Sequence, residues 1–123
     1  IVEQAAKELL EVGIDAEVID VQSLIPFDIA HDISKSLKNT NRLMIIDEDV
    51  PGGASAYILD EIMNTQNGYQ FLDSQPQTLT AMVLLFLPLL LLYTKKVFIN
   101  TSLIIKKQLL TSSPKLLMLM KVI

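Results

Sequence analysis

The sequence predicts an α/β fold: a small, parallel-rich three-layer sandwich, incomplete in its strands and followed by an irregular or helical apolar tail. Three observations predict it. Helix-spaced and strand-like apolar segments alternate along residues 1–80, the connections between them are short, and the carboxylates stop abruptly after Asp73. Alternation with short connections implies a sheet whose strands run one way, with helices packed on its faces and right-handed crossovers.

Apolar side chains at Ile1, Val2, Ala5, Ala6, Leu9, Leu10 and Val12 recur at helical spacing, with Glu3, Gln4, Lys7, Glu8 and Glu11 on the other face. Gly13 ends this helix, because glycine tolerates the left-handed cap conformation, and Ile14 supplies the accompanying apolar contact. A short strand follows over residues 16–21. Pro26 cannot donate to a sheet and holds Ile25 extended, so residues 23–27 form a loop. Asp28 can cap the next helix, whose stripe is Ile29, Ala30, Ile33 and Leu37 and whose end is the polar run Lys38, Asn39, Thr40, Asn41.

Leu43, Met44, Ile45 and Ile46 form a continuous apolar run, the pattern of a strand covered on both faces. It is expected beside residues 18–21 and co-directional with them, and residues 47–53 form the turn that leaves it. Ala54, Tyr57, Ile58, Ile62 and Met63 define a third helix, ending near Asn67 and Gly68. Residues 69–72 have the aromatic bias of a third strand. Because Ile1 opens directly inside a helix, a preceding strand is expected to be missing.

Of the 123 residues, half are hydrophobic, enough for one buried core, and none is cysteine. That excludes disulfides, thiolate nucleophiles and cysteine zinc sites, and His31 alone cannot build a metal cluster. Residues 1–80 carry all 14 acids against four bases, a balance of −10, whereas residues 81–123 carry six lysines and no acid. The break predicts two parts, residues 1–81 as the domain and 82–123 as a basic, Leu-rich tail. The apolar run 81–93 is interrupted by Pro88 and is shorter than the roughly 20 residues of a bilayer-spanning helix. A membrane partner is therefore not expected. The tail should promote aggregation, and trimming it should improve solubility.

Family resemblance becomes specific at the stretch Ala16-Glu17-Val18-Ile19-Asp20-Val21-Gln22-Ser23-Leu24-Ile25-Pro26-Phe27-Asp28, followed by Arg42-Leu43-Met44-Ile45-Ile46-Asp47-Glu48-Asp49 and Gly52-Gly53. From Ile1 to about Ala81 the chain resembles the C-terminal domain of the transketolase superfamily. Residues 47–58 and 69–81 most resemble the beta subunit, or beta half, of the thiamine-diphosphate-dependent decarboxylating component of 2-oxo acid dehydrogenase complexes. Transketolases and pentulose-phosphate synthases are the alternative within the superfamily.

The resemblance implies an assembly and partner-docking domain of a cytoplasmic oxidoreductase. The parent enzyme would decarboxylate a 2-oxo acid with thiamine diphosphate and magnesium and pass an acyl group to a lipoyl carrier. No catalytic, cofactor-binding or metal residue is carried onto this chain, because the family binds its cofactor between its other domains. Implied partners are an alpha subunit or alpha half, a second beta subunit, and the basic subunit-binding domain of the acyltransferase component. Past Ala81 the sequence departs from the family's polar, Pro-rich and acidic continuation, as an out-of-frame reading or a misjoined gene would; the other two reading frames test this.

The candidate docking residues are Asp47, Glu48, Asp49, Gly52 and Gly53, at the carboxyl end of a buried strand where open α/β sheets place their sites. Alternatively, the acids form a solvated turn near a helix dipole and the glycines serve tight backbone geometry. Three carboxylates argue against an anion there despite the glycines. His31 is expected at the surface or an interface, and Ser55 lacks the following glycine of a nucleophile elbow. Lys95, Lys96, Lys106 and Lys107 lack arginine and aromatic neighbours, which argues against nucleic acid. A rival from another class is a non-enzymatic membrane-associated or interaction peptide that uses the tail.

Overall fold

The structure, a computed structural model, describes residues 2–80 and 115–121. Helix α1 spans Val2–Glu11, strand β1 Asp15–Asp20, α2 Asp32–Thr40, β2 Leu43–Asp47, α3 Ala54–Asp60, β3 Gln77–Thr80 and β4 Lys115–Lys121. All pairings are parallel, in the order β1-β4-β2-β3.

Strand alternation sorts the core into two layers. Leu43 and Ile45 of β2, Leu117 and Leu119 of β4, and Ile19 face α2 and α3, where Ile33, Leu37, Ile58 and Ile62 close the larger cluster. Met44 and Ile46 point the other way, with Ala16 and Val18, against Val2, Ala6 and Leu9 of α1. The three-layer parallel sandwich is thus present, and β2 is covered on both faces as its unbroken apolar run requires.

The cap of α1 forms as its sequence dictates. Gly13 lies at φ 83°, its N–H donates to Leu10 O at 3.0 Å, and Ile14 N–H donates to Leu9 O at 2.9 Å. This is the paired hydrogen-bond pattern of a Schellman cap, and Ile14 packs in the same cluster as Leu9.

Several expectations are corrected. Residues 18–21 and 43–46 are co-directional but not neighbours, because β4 lies between β1 and β2. The second helix begins at Asp32, so Ile29 and Ala30 stand outside it, and Ile29 is 77% exposed. Residues 69–72 are not a strand; Gly68–Phe71 is a 3-10 turn. Asn67 takes the left-handed conformation at φ 54°, and Asn41 Nδ2 donates to Phe71 O at 2.8 Å, which ties the turn to the end of α2 rather than to the sheet. Asp73 N–H donates to Asn41 O and the nearly buried Arg42 Nε bonds Asp73 Oδ1 at 3.1 Å, holding the segment there.

The third sequence-order strand is instead Gln77–Thr80, which follows Pro76 at the sheet edge, where proline is tolerated. Part of the tail, 115–121, is neither irregular nor helical but a central strand, with Leu117 and Leu119 fully buried. Removing the whole tail would therefore remove part of the core. Readings that fall on Ile1, on residues 81–114 (the four lysines of 95–107 among them) and on 122–123 lie outside the described residues.

Candidate docking site

Both β1 and β2 end at one edge of the sandwich, and α2 and α3 begin there. The connections at this end carry every candidate residue. Asp47 is the last residue of β2 and only 3% exposed. Its Oδ2 accepts the Ser55 N–H at 2.8 Å and its Oδ1 the Asp49 N–H at 3.1 Å. Since Gly53 at the start of α3 has no side chain to cap with, the strand's last carboxylate takes over one of the helix's open donors. Asp47 therefore shapes the loop rather than presenting itself to a partner.

Glu48 and Val50 are exposed and Asp49 is half-buried. Asp49 Oδ1 accepts the Val50 N–H at 2.7 Å, and Val50 O accepts the Gly53 N–H at 3.0 Å, closing a tight turn. Gly52 sits in it at φ 88°, a conformation that L residues rarely adopt. At Gly53 a Cβ would lie 2.5 Å from Asp49 Oδ2 and 3.1 Å from Val50 O, so a larger residue there would have to displace the Asp49 carboxylate. Gly52 thus has a backbone reason to be present and Gly53 a packing one, in the turn that carries Glu48 and Asp49.

The neighbouring loop, between β1 and α2, is fastened in a similar way. Asp28 Oδ1 accepts the Asp32 N–H at 2.9 Å and Oδ2 the Ile33 N–H at 3.0 Å, the capping role expected of it. Gln66 Nε2 donates to the same Asp28 Oδ2 at 3.0 Å, while the Ser34 hydroxyl donates to Gln66 Oε1 at 2.7 Å. This partly buried chain locks the loop to the end of the α3 segment. Sequence reading missed Gln66, for which no local spacing gives a signal. His31 is exposed at φ 54°, its N–H bonded to Asp28 O, in keeping with a surface position.

In the loop between β1 and α2, Ile25 is 87% exposed, and Phe27 meets Tyr57 of α3 edge-on with ring centroids 6.2 Å apart. Partial burial, then the charge of Glu61 and a hydrogen bond to it, push the Tyr57 phenol above its ordinary value. From residue 43 to residue 80 the chain carries six acids and no base. Apolar groups and carboxylates are exposed at this end, together with His31 and with Lys35 in the first turn of α2, whose Nζ pairs with Asp32 Oδ1 at 2.8 Å.

A thiamine diphosphate would need donors and a metal-binding set, and these residues do not fit it. Carboxylates already occupy the starts of α2 and α3, and no group of three acids or histidines among the described residues is placed to hold a metal ion. Ser55 is 2% exposed, with its N–H bound to Asp47, so it is not presented as a nucleophile.

Residues 1–88 match the family described as transketolase, C-terminal domain. Among curated proteins, the chain is 40% identical over 78 residues to the chloroplastic pyruvate dehydrogenase E1 component subunit beta-2 of Arabidopsis thaliana, covering 63% of this chain and 19% of that protein. It is 38% identical over 78 residues to the pyruvate dehydrogenase E1 component subunit beta of Mesostigma viride, covering 63% and 23%. The beta subunit of acetoin:2,6-dichlorophenolindophenol oxidoreductase of Bacillus subtilis is 41% identical over 78 residues, covering 63% and 22%. No solved structure matches. The chain spans about a fifth of the length of these relatives. Parallel strands, helices on both faces and a match over most of the sequence agree: the chain belongs to the transketolase C-terminal domain family.

Proposed function

We propose that residues 1 to about 81 serve as the C-terminal assembly and docking domain of the beta subunit, or beta half, of a thiamine-diphosphate-dependent 2-oxo acid dehydrogenase. The observation that carries this reading is the identity near 40% over 78 residues to beta subunits of pyruvate dehydrogenase. In it, the parent enzyme decarboxylates a 2-oxo acid, using thiamine diphosphate and magnesium held by its other domains, and passes the acyl group to a lipoyl carrier. This domain performs no chemical step. Its partners are the alpha subunit or alpha half, a second beta subunit, and the basic subunit-binding domain of the acyltransferase component.

The acidic turn supports the last of these. Glu48 and Asp49 are set on a loop that Asp47, Gly52 and Gly53 hold in shape, so little ordering is needed on contact. A cytoplasmic location is proposed with it, whereas the Arabidopsis thaliana relative is a chloroplastic protein.

Calorimetric titration of the full chain with a purified basic subunit-binding domain tests docking. Binding is expected that weakens with salt and falls at least about tenfold in the Glu48→Gln, Asp49→Asn double variant, the loss of roughly 1.4 kcal/mol. Equal affinity for both proteins would refute the placement of the site at this turn.

A further inference from the structure

Asn67-Gly68, the chain's only asparagine followed by glycine, lies in the turn that ends the α3 segment. Asn67 is exposed and left-handed, at φ 54° and ψ 33°, and its side chain makes no capping hydrogen bond. An asparagine before glycine carries its own reaction. The Gly68 nitrogen attacks the Asn67 side-chain carbonyl carbon: an N–Cγ bond forms, the Cγ–Nδ2 bond breaks, and Nδ2 leaves as ammonia with the proton that the Gly68 nitrogen gives up. Water then opens the resulting succinimide at either carbonyl, to aspartate or to isoaspartate. Glycine favours the step because no side chain crowds its nitrogen.

The folded turn opposes this chemistry. At ψ 33° the Gly68 nitrogen stands nearly opposite Cβ about the Cα–C bond of Asn67, whereas ring closure needs the two eclipsed. Rotation about that bond has to swing Gly68, which is wedged in place: a Cβ on it would lie 2.7 Å from Ile62 O and 2.8 Å from Ile62 Cγ2. The residues that follow are fastened twice to Asn41, whose Nδ2 donates to Phe71 O at 2.8 Å and whose O accepts the Asp73 N–H at 2.9 Å. Reaction therefore waits on a local opening of residues 67–73. Isoaspartate, once formed, routes the main chain through Cβ and lengthens it by a methylene where Gly68 has no room to shift.

We propose that Asn67 is a modification site, an asparagine that deamidates through a succinimide only when the turn 67–73 opens, and whose isoaspartyl product keeps the segment leading into β3 from closing again.

The full chain is incubated in mildly alkaline buffer, folded and in urea, and followed by peptide mapping with mass spectrometry and by an isoaspartyl-methyltransferase assay. Asn67 should convert in urea while Asn64, exposed but followed by threonine, stays intact. In the folded chain conversion should be at least about tenfold slower, the factor for an opening free energy of roughly 1.4 kcal/mol. Asn41→Gly suits the left-handed φ of 59° at that position but drops the bond to Phe71 O. Checked by circular dichroism to be folded, it should convert about fivefold faster than the parent chain, the factor for a hydrogen bond worth about 1 kcal/mol. Purified isoaspartyl product should lose hydrogen-exchange protection at the Asp73 amide. Asn67 intact in urea, equal rates folded and unfolded, no acceleration in folded Asn41→Gly, or full Asp73 protection in the product would overturn the proposal.

Discussion

Replacing Leu117 by alanine should cost about as much as emptying any central position of a well-packed core. Leu117 is fully buried in the cluster formed with Ile33, Leu37, Ile45, Ile58 and Ile62. The substitution withdraws three carbons from that environment, roughly 2.5 kcal/mol at 0.8 kcal/mol per buried methylene. A residual hole of about 50 Å³ adds on the order of 1 kcal/mol at 24 cal/mol per Å³. The expected loss is therefore roughly 3–4 kcal/mol, within the 2–5 kcal/mol range of buried leucines. Leu10, 62% exposed on α1, is the control, and Leu10→Ala should stay within about 0.5 kcal/mol. Urea unfolding followed by circular dichroism measures both. At a slope of about 1–3 kcal/mol per molar the Leu117→Ala midpoint should fall by at least ~1 M. Equal midpoints for the two variants would refute the reasoning, since Leu117 would then have no core to leave.

Asp47→Ala should destabilise by about 1–3 kcal/mol, because it strips the acceptor from the buried Ser55 N–H and frees the start of α3; Asp47→Asn, which keeps one acceptor, should cost less in the same unfolding assay. The raised Tyr57 value favours the neutral phenol in the folded state. Its stabilising contribution is present below the ordinary value of 10.0 and is lost as pH rises through the folded value, and Glu61→Gln should lower the midpoint read by NMR at the ring carbon. A chain ending at residue 114 should aggregate, since it leaves the facing edges of β1 and β2 unpaired and Leu43 and Ile45 uncovered; light scattering no higher than that of the full chain would contradict this.

What could be read from the residues was whatever local chemistry determines. Gly13 with Ile14 announces a Schellman cap, Asp28 stands where a helix start needs an acceptor, and Leu43 to Ile46 have no polar face to give to water. Strand direction follows from the short helical connections. Strand order does not, because the loop between β1 and α2 is long enough to skip a position, and nothing in it records that a distant segment fills the gap. β4 was hidden by its setting: a lysine-bounded apolar run in a basic tail has no turn signals to mark it as part of a sheet. Residues 69–72 misled through propensity, their aromatic content outweighed by the left-handed Asn67 and by the bond from Asn41 to Phe71 O. The acidic turn was found, but not the division of labour within it. A carboxylate at the end of a strand looks the same in sequence whether it faces a partner, as Glu48 does on this reading, or a helix start, as Asp47 does.

Hydrogen exchange of the amides in Lys115–Lys121 tests the single sheet most directly. A strand bonded on both sides, with the Leu117 N–H donating to Arg42 O at 2.9 Å, should have its interior amides protected to the level of β2, near the global unfolding limit. Exchange of those amides at the rate of an open chain, while β2 stays protected, would show that the centre of the sheet is not where the C-terminal strand resides.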